Sequence, residues 1–455
     1  MSELLGFGVL QLKRLITAKK ISAKEVFNYF LERIKKYDRQ INGYVTVCNN
    51  NDGKLPIAVK DNFCTNGIRT TASSKVLDNF VPNYNAEVVD RLLTNGFSII
   101  GKTNMDAWAH GSSTETSDYG ATKNPWNLSH IPGGSSGGSA AVVSSYLAPA
   151  AIGSETAGSI RQPAGWCGVI GFKPTYGRVS RFGLIAMASS FDCPGPITLN
   201  TEDSAYLLSI LAGKDNKDAT TIDKPAEDYL SKLSDREPLT IGIPEEYFNE
   251  VQKETIDGFE KTKQVFKKLG YKFKKIKLIS PEYAISVYTI IQRAEVASNL
   301  ARFDGIRFGN NKSYFGFEAK KRIMLGNFVL SAGYYSAFYQ QAQKLRDKIK
   351  ADFVKVFHDV DLILAPVVPT TALKLGEFEK YPFFGELIDK FNEPAAIAGL
   401  PAVSFPTGLD KNNLPTSLQL IGNYLQELKL LQTLYAFEQE TKFFNVIKSG
   451  FKKWK

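Results

Sequence analysis

The sequence predicts an α/β fold built on a covered sheet. Short apolar runs of strand length alternate with helix-period segments, as in PIAVK (56–60), AEVVDRLLTNG (86–96) and FSIIGKT (97–103). That order lays helices against sheet faces. The 455 residues are 43% hydrophobic and 22% charged, enough apolar material for a large core. Two glycine–serine clusters lie among the strands of the first half, where α/β folds usually build ligand sites.

The elements follow in order. AKEVFNYFLERIKKY (23–37) is helical: Ser22 and Glu25 fit a capping box, and Val26, Phe27, Phe30 and Ile34 share a face. PIAVK is a buried strand ending on a lysine. The segment 86–96 is a helix stopped by Gly96, and 97–103 is the next strand. SAAVVSSYL (139–147) is a helix of small residues opening from a glycine turn, and AAIGSET (150–156) and GVIGFKPT (168–175) read as strands. A polar stretch, 213–238, crosses to the second half, where LTIGIP (239–244) restarts strand character. Long helices are expected near 250–270, 281–301 and 332–358. DLILAPVVP (361–369), PAVSFP (401–406) and TSLQLIG (416–422) supply late strands. No internal repeat is present.

Composition excludes several classes of function. No apolar run reaches the roughly 18 residues that span a bilayer, and the first 20 residues lack a secretory pattern. The four cysteines form no C-x-x-C pair and there are three histidines, so a zinc site has few ligands to draw on. Reduced thiols and a cytoplasmic location are the expectation. The net charge of +10 is spread over lysine-rich segments. Such a surface can meet RNA or an acidic partner, but no nucleic-acid-binding motif accompanies it.

The stretch GGSSGGSAAVVSSYLAPAAIGSETAGSIRQP (133–163) carries the chemistry. A phosphate loop needs Lys and Ser/Thr after its last glycine; here Ser139 and Ala140 follow Gly138. Gly133–Gly137 matches G-x-S-x-G, but that triad needs a later histidine and His358 alone remains, in an unsuitable segment. A flexible linker would not lie between strands or end in Glu155, Thr156, Ser159 and Arg161. The remaining option is a serine activated by a neutral lysine, which burial or neighbouring charge must hold deprotonated. Lys60, at the end of PIAVK, is the candidate. Taken alone it reads more often as a solvated strand end.

With PIAVKDNF, GKTNMDAWAHGSSTETS, PGGSSGGSAA, GSETAGSIRQPAGWCGVIGFKPTYGRVSR and GLIAMASSFDCPGPIT in view, the chain resembles the amidase signature family. Lys60 stands 75 residues before Ser135, and Ser159 stands 24 after it, the separations that family shows. The resemblance implies one amidase signature domain over 1–455, with its motif core at about 50–200 and a second half, about 238–455, completing the sheet and the pocket. It implies a large mixed sheet covered by helices on both faces. It also implies a Ser–cis-Ser–Lys triad: Ser159 as nucleophile, Ser135 as bridge after a cis Gly134–Ser135 bond, and Lys60 as base. The N–H groups of Thr156, Ala157, Gly158 and Ser159 would form the oxyanion hole. Two departures stand out. The common G-S-D-T-G-G-S is here Gly153–Ser159 with Glu155 and Ala157, and the common D-E-F-A-M-G is Asp106–Gly111 with Ala107, Trp108 and His110.

Within the family the likeness is greatest to the branch that serves tRNA-dependent amidotransferases. It implies glutamine as substrate, held by Tyr288, Arg322 and Asp389, with Arg322 for the α-carboxylate and Asp389 for the α-ammonium. It implies no cofactor or metal in this chain. ATP and magnesium would belong to a partner, the B subunit of such a complex, which amidates Glu-tRNA(Gln) or Asp-tRNA(Asn). A small third partner, the C subunit, would join the two. A stand-alone amidase acting on another amide, and a catalytically silent scaffold, are the alternatives.

Overall fold

The computed structural model describes residues 4–307, 309–380, 384–445 and 454. Among them, eleven strands form one sheet: β1 (Tyr44–Val47), β2 (Leu55–Lys60), β3 (Phe97–Thr103), β4 (Ala150–Glu155), β5 (Ile170–Lys173), β6 (Cys193–Thr198), β7 (Thr240–Pro244), β8 (Lys272–Ile276), β9 (Leu362–Pro366), β10 (Ala402–Leu409) and β11 (Pro415–Gly422). Their order is β1-β3-β2-β4-β6-β5-β10-β11-β9-β7-β8. β3, β2 and β4 run parallel, as do β9, β7 and β8, while the strands between them are antiparallel. The sheet is mixed, as the family resemblance implies.

Parallel neighbours need crossovers, and helices supply them. Glu87–Thr94 joins β2 to β3, Gly137–Ser144 lies between β3 and β4, and Lys253–Lys268 joins β7 to β8. Both faces are covered. In β9, Leu362 and Leu364 enter one core cluster while Ile363 and Ala365 enter the other, the two-residue alternation of a strand buried on both sides. β2, β3 and β4 are buried at every position, which is why they read as unbroken apolar runs.

The predicted first helix is present as Ala23–Ile41, with Glu25 N–H donating to Ser22 Oγ and Ser22 N–H to Glu25 Oε2. It runs four residues past the expected end, to a left-handed Asn42. The expected helix 332–358 is a π turn, Tyr335–Tyr339, leading into an α-helix, Gln340–Val356. The strand expected at 168–175 narrows to Ile170–Lys173 because the helix Arg161–Cys167 runs up to it.

Among the elements that escape the sequence pattern, three are instructive. β6 contains Pro194-Gly195-Pro196, which reads as a turn. It is a central strand nonetheless, because both prolines fall where it pairs with β4 alone and β5 reaches only Ile197 and Thr198. β8 is a lysine-rich edge strand. The helix Phe317–Leu330 lacks an inward apolar stripe because Phe317, Met324, Leu325 and Phe328 face outward. No helix among the described residues is long and apolar enough to cross a membrane, and all four cysteines are free.

Candidate active site

β2 and β4 are parallel neighbours, so their C-terminal ends lie side by side. β2 ends on Lys60, and β4 ends on Glu155, from which the second serine cluster turns away. The first cluster lies beside them as the turn into the helix Gly137–Ser144. Gly133 adopts φ +88°, and the Gly134–Ser135 peptide is cis. A β-carbon on Gly134 would stand 2.0 Å from Asp106 Oδ2, so no larger residue fits that approach. Asp106 N–H donates to the Ser135 carbonyl at 3.3 Å.

Lys60 is wholly buried. Its Nζ donates to Ser135 Oγ at 2.7 Å and to the Ser154 carbonyl at 3.0 Å. Burial pushes its ammonium down to about 7, against the opposing pull of Asp106, Asp192 and Glu155. A substantial share of Lys60 is therefore neutral near pH 7, and a neutral amine at this distance can accept the serine proton. Ser159 lies alongside, its carbonyl accepting from Ser136 N–H at 3.1 Å. Of the three-membered chain expected from the sequence, the Lys60–Ser135 link is formed. Among the described residues Ser159 Oγ makes no hydrogen bond to Ser135.

The turn carrying Ser159 is held by Glu155 and Arg161, both fully buried. Glu155 Oε2 accepts from the N–H groups of Ile160 and Arg161 at 3.1 Å, and its Oε1 accepts from Arg161 Nε at 2.9 Å. Arg161 Nη2 donates to the carbonyls of Ala157 (2.7 Å) and Asn392 (2.9 Å). Glu155 thus fits its position, and Ala157 sits outside the left-handed region, so neither departure from the common pattern strains the turn. The backbone N–H groups of Thr156, Ala157, Gly158 and Ser159 donate to nothing among the described residues. They are available to a developing oxyanion.

Sequence reasoning misses Asp192. Its Oδ1 accepts from Thr156 Oγ1 at 2.8 Å and its Oδ2 from Met187 and Ala188 N–H at 2.9 and 3.1 Å, fixing the start of the same turn. The available signal is its place as the lone acid in ASSFDCPGPIT. Burial raises its carboxyl to about 6.

The three expected substrate residues come together although they belong to separate helices. Tyr288 lies on Pro281–Leu300, Arg322 on Phe317–Leu330, and Asp389 ends Phe384–Asp389. With Ser112, Ser159 and Glu393 they line one pocket. Arg322 Nε donates to Glu318 Oε1 at 2.7 Å. Asp389 Oδ2 accepts from Ser112 Oγ at 2.6 Å, and burial raises this carboxyl to about 7. Asp389 Oδ1 stands 2.1 Å from where a β-carbon on Gly158 would be, so the acid abuts the serine turn. A cavity of about 760 Å³, lined by His110, Ser112, Arg322 and Phe384 among others, adjoins this pocket. Among the described residues no group of three or more His, Cys, Asp or Glu side chains converges as a metal site would.

A buried lysine bonded to a serine after a cis peptide, with a second serine on the adjoining turn, defines a serine amidohydrolase architecture. The chain belongs to the amidase family, whose profile matches residues 25–431. It is 47% identical to the A subunit of the glutamyl-tRNA(Gln) amidotransferase of Halothermothrix orenii, over 96% of this chain and 98% of that protein. It is 44% identical to the protein of the same name from Coxiella burnetii, over 95% and 97%. The crystal structure of the corresponding glutamyl-tRNA(Gln) amidotransferase protein from Thermotoga maritima superposes with a TM-score of 0.82 at 40% identity, over 92% of this chain and 91% of that one.

Proposed function

We propose that this chain is the glutamine-hydrolysing subunit of a tRNA-dependent amidotransferase and acts through a Ser159–Ser135–Lys60 relay. The observation that carries the reading is the wholly buried Lys60, bonded to Ser135 beside a pocket that offers an arginine and an acid at Arg322 and Asp389. Those two charges complement the α-carboxylate and α-ammonium that distinguish glutamine from a simple amide.

In this mechanism Ser159 Oγ attacks the side-chain carboxamide carbon while its proton passes through Ser135 to Lys60 Nζ. The N–H groups of Thr156, Ala157, Gly158 and Ser159 hold the oxyanion, a class of contact worth roughly 10²–10³ in rate for each donor. Collapse breaks the C–N bond, and the proton returns through Ser135 to the departing nitrogen, releasing ammonia. Water then attacks the Ser159 ester by the same relay and frees glutamate.

The ammonia serves a partner, the B subunit, which uses ATP and magnesium to amidate Glu-tRNA(Gln) or Asp-tRNA(Asn), with a small C subunit completing a cytoplasmic complex. The whole chain, 1–455, acts as one amidase unit. An outward apolar face supports a partner-bound state: Phe317 is 82% and Met324 72% exposed, and Phe328 packs on Tyr334 with ring centroids 4.2 Å apart. Apolar surface of this kind usually marks an interface. The test is expression together with the two partners. Co-purification with glutaminase activity and glutamine-dependent amidation of mischarged tRNA are expected. A monomer that hydrolyses simple amides as readily as glutamine would establish the stand-alone amidase instead.

A further inference from the structure

His110 stands where the common family pattern has methionine. The 3₁₀ turn Ala107–Ala109 before it holds Trp108 and Ala109 at φ 61° and 63°, and His110 N–H closes on the Ala107 carbonyl at 3.0 Å. Trp108 is wedged against Phe303 and Phe315, with centroids 4.8 and 5.3 Å away, so the turn has little freedom. The imidazole that follows is fully buried, and neither Nδ1 nor Nε2 has a hydrogen-bond partner among the described residues. Buried polar atoms without partners are uncommon and unfavourable.

Two observations indicate what such a ring is for. His110 lines the 760 Å³ cavity in company with Arg322 and Ser112. Burial, and then the guanidiniums of Arg322 and Arg293, hold the ring neutral, so it keeps one N–H donor and one lone pair. A donor flanked by two cations suits an anionic oxygen better than a neutral or positive group. A carboxylate paired with a guanidinium retains lone pairs to accept a further hydrogen bond.

We propose that His110 is a substrate-binding residue whose imidazole N–H donates to the α-carboxylate that pairs with Arg322, giving this chain a carboxylate contact that methionine cannot provide. The inference rests on the glutamine reading of the pocket.

The experiment compares wild type, His110→Met and His110→Gln, as the full chain with its partner subunits. The substrates are glutamine, glutamine α-amide (which keeps the ammonium and loses the carboxylate) and butyramide (which has neither). His110→Met is expected to raise KM for glutamine about tenfold or more with kcat within about twofold, the scale of one hydrogen bond to a charged group. Its KM for the α-amide should not change. His110→Gln, which restores a donor, should keep KM for glutamine within about threefold of wild type. An unchanged KM for glutamine in His110→Met overturns the proposal. So does a parallel loss on all three substrates, which a purely structural histidine would give. His110→Leu, also without a donor, repeats the test should the methionine variant fold poorly. Should wild type itself fail to prefer glutamine over butyramide, the glutamine reading falls and the His110 contact with it; a preference in wild type that is undiminished in His110→Met removes the His110 contact alone.

Discussion

Lys60 Nζ and Ser135 Oγ lie 2.7 Å apart in a fully enclosed setting, although 75 residues separate them in the chain. The strand β2 delivers the amine, the turn at Gly133–Ser136 delivers the hydroxyl, and both meet beneath the turn that carries Ser159. Burial favours the neutral amine, the form that can accept a proton.

The pH profile follows from two groups that act in the same direction. Lys60 titrates at about 7, lowered by burial, so the active amine is lost as pH falls through that value. Asp389, raised by burial to about 7, loses its negative charge over the same range. kcat/KM for butyramide should therefore fall below about pH 7 with the slope of one proton. For glutamine the slope should approach two, because both groups belong to the free enzyme. Hydrolysis undiminished at pH 5 would show that Lys60 is not the base.

Ser159→Ala should lower glutamine hydrolysis by about 10³-fold or more. Amidation of mischarged tRNA by the assembled complex should persist when ammonium chloride replaces glutamine, since in the proposed complex amidation belongs to another polypeptide. Equal loss with both nitrogen sources would make Ser159 structural.

Arg322→Ala should reduce kcat/KM for glutamine by at least ~1.5–3 kcal/mol of transition-state stabilisation, the worth of a hydrogen bond to a charged group. Butyramide hydrolysis should change little. The ratio of the two activities is the quantity to measure, because a folding defect lowers both together and leaves the ratio intact.

Met324→Glu combined with Leu325→Glu alters two outward side chains. Stability by urea titration should move by no more than about 0.5 kcal/mol for each, as for exposed sites, and hydrolysis by the isolated chain should be unaffected. Recovery of the partner subunits on co-purification should drop sharply. Full recovery would place the interface elsewhere.

Much of this site is legible in the sequence because its parts are local. Lys60 ends a buried strand, Ser135 and Ser159 sit in compact motifs at fixed spacing, and Ser22 with Glu25 announces the helix Ala23–Ile41 within four residues. What escapes is set by distant contacts. Asp192 matters through Thr156 on another strand's end, and Ser112 through Asp389, 277 residues away. β6 keeps its prolines because β5 stops short of them, which no local pattern can reveal. The helix carrying Arg322 lacks a recognisable stripe because much of its apolar surface points outward.

The pairing of β5 with β10, Lys173 opposite Ala402, joins segments made far apart in time. At about 5–20 residues per second, synthesis leaves on the order of ten to forty-five seconds between them. For most of that interval the nascent chain already holds Lys60, Ser135 and Ser159, yet it lacks Asp389 and the strand that closes the edge of β5. Until those residues emerge, the pocket lacks Asp389 and β5 lacks its partner strand, so the site is structurally incomplete. Until then β5 presents an unpaired edge of the kind that aggregates, and its closure by β10 is a non-local pairing of the sort that forms slowly.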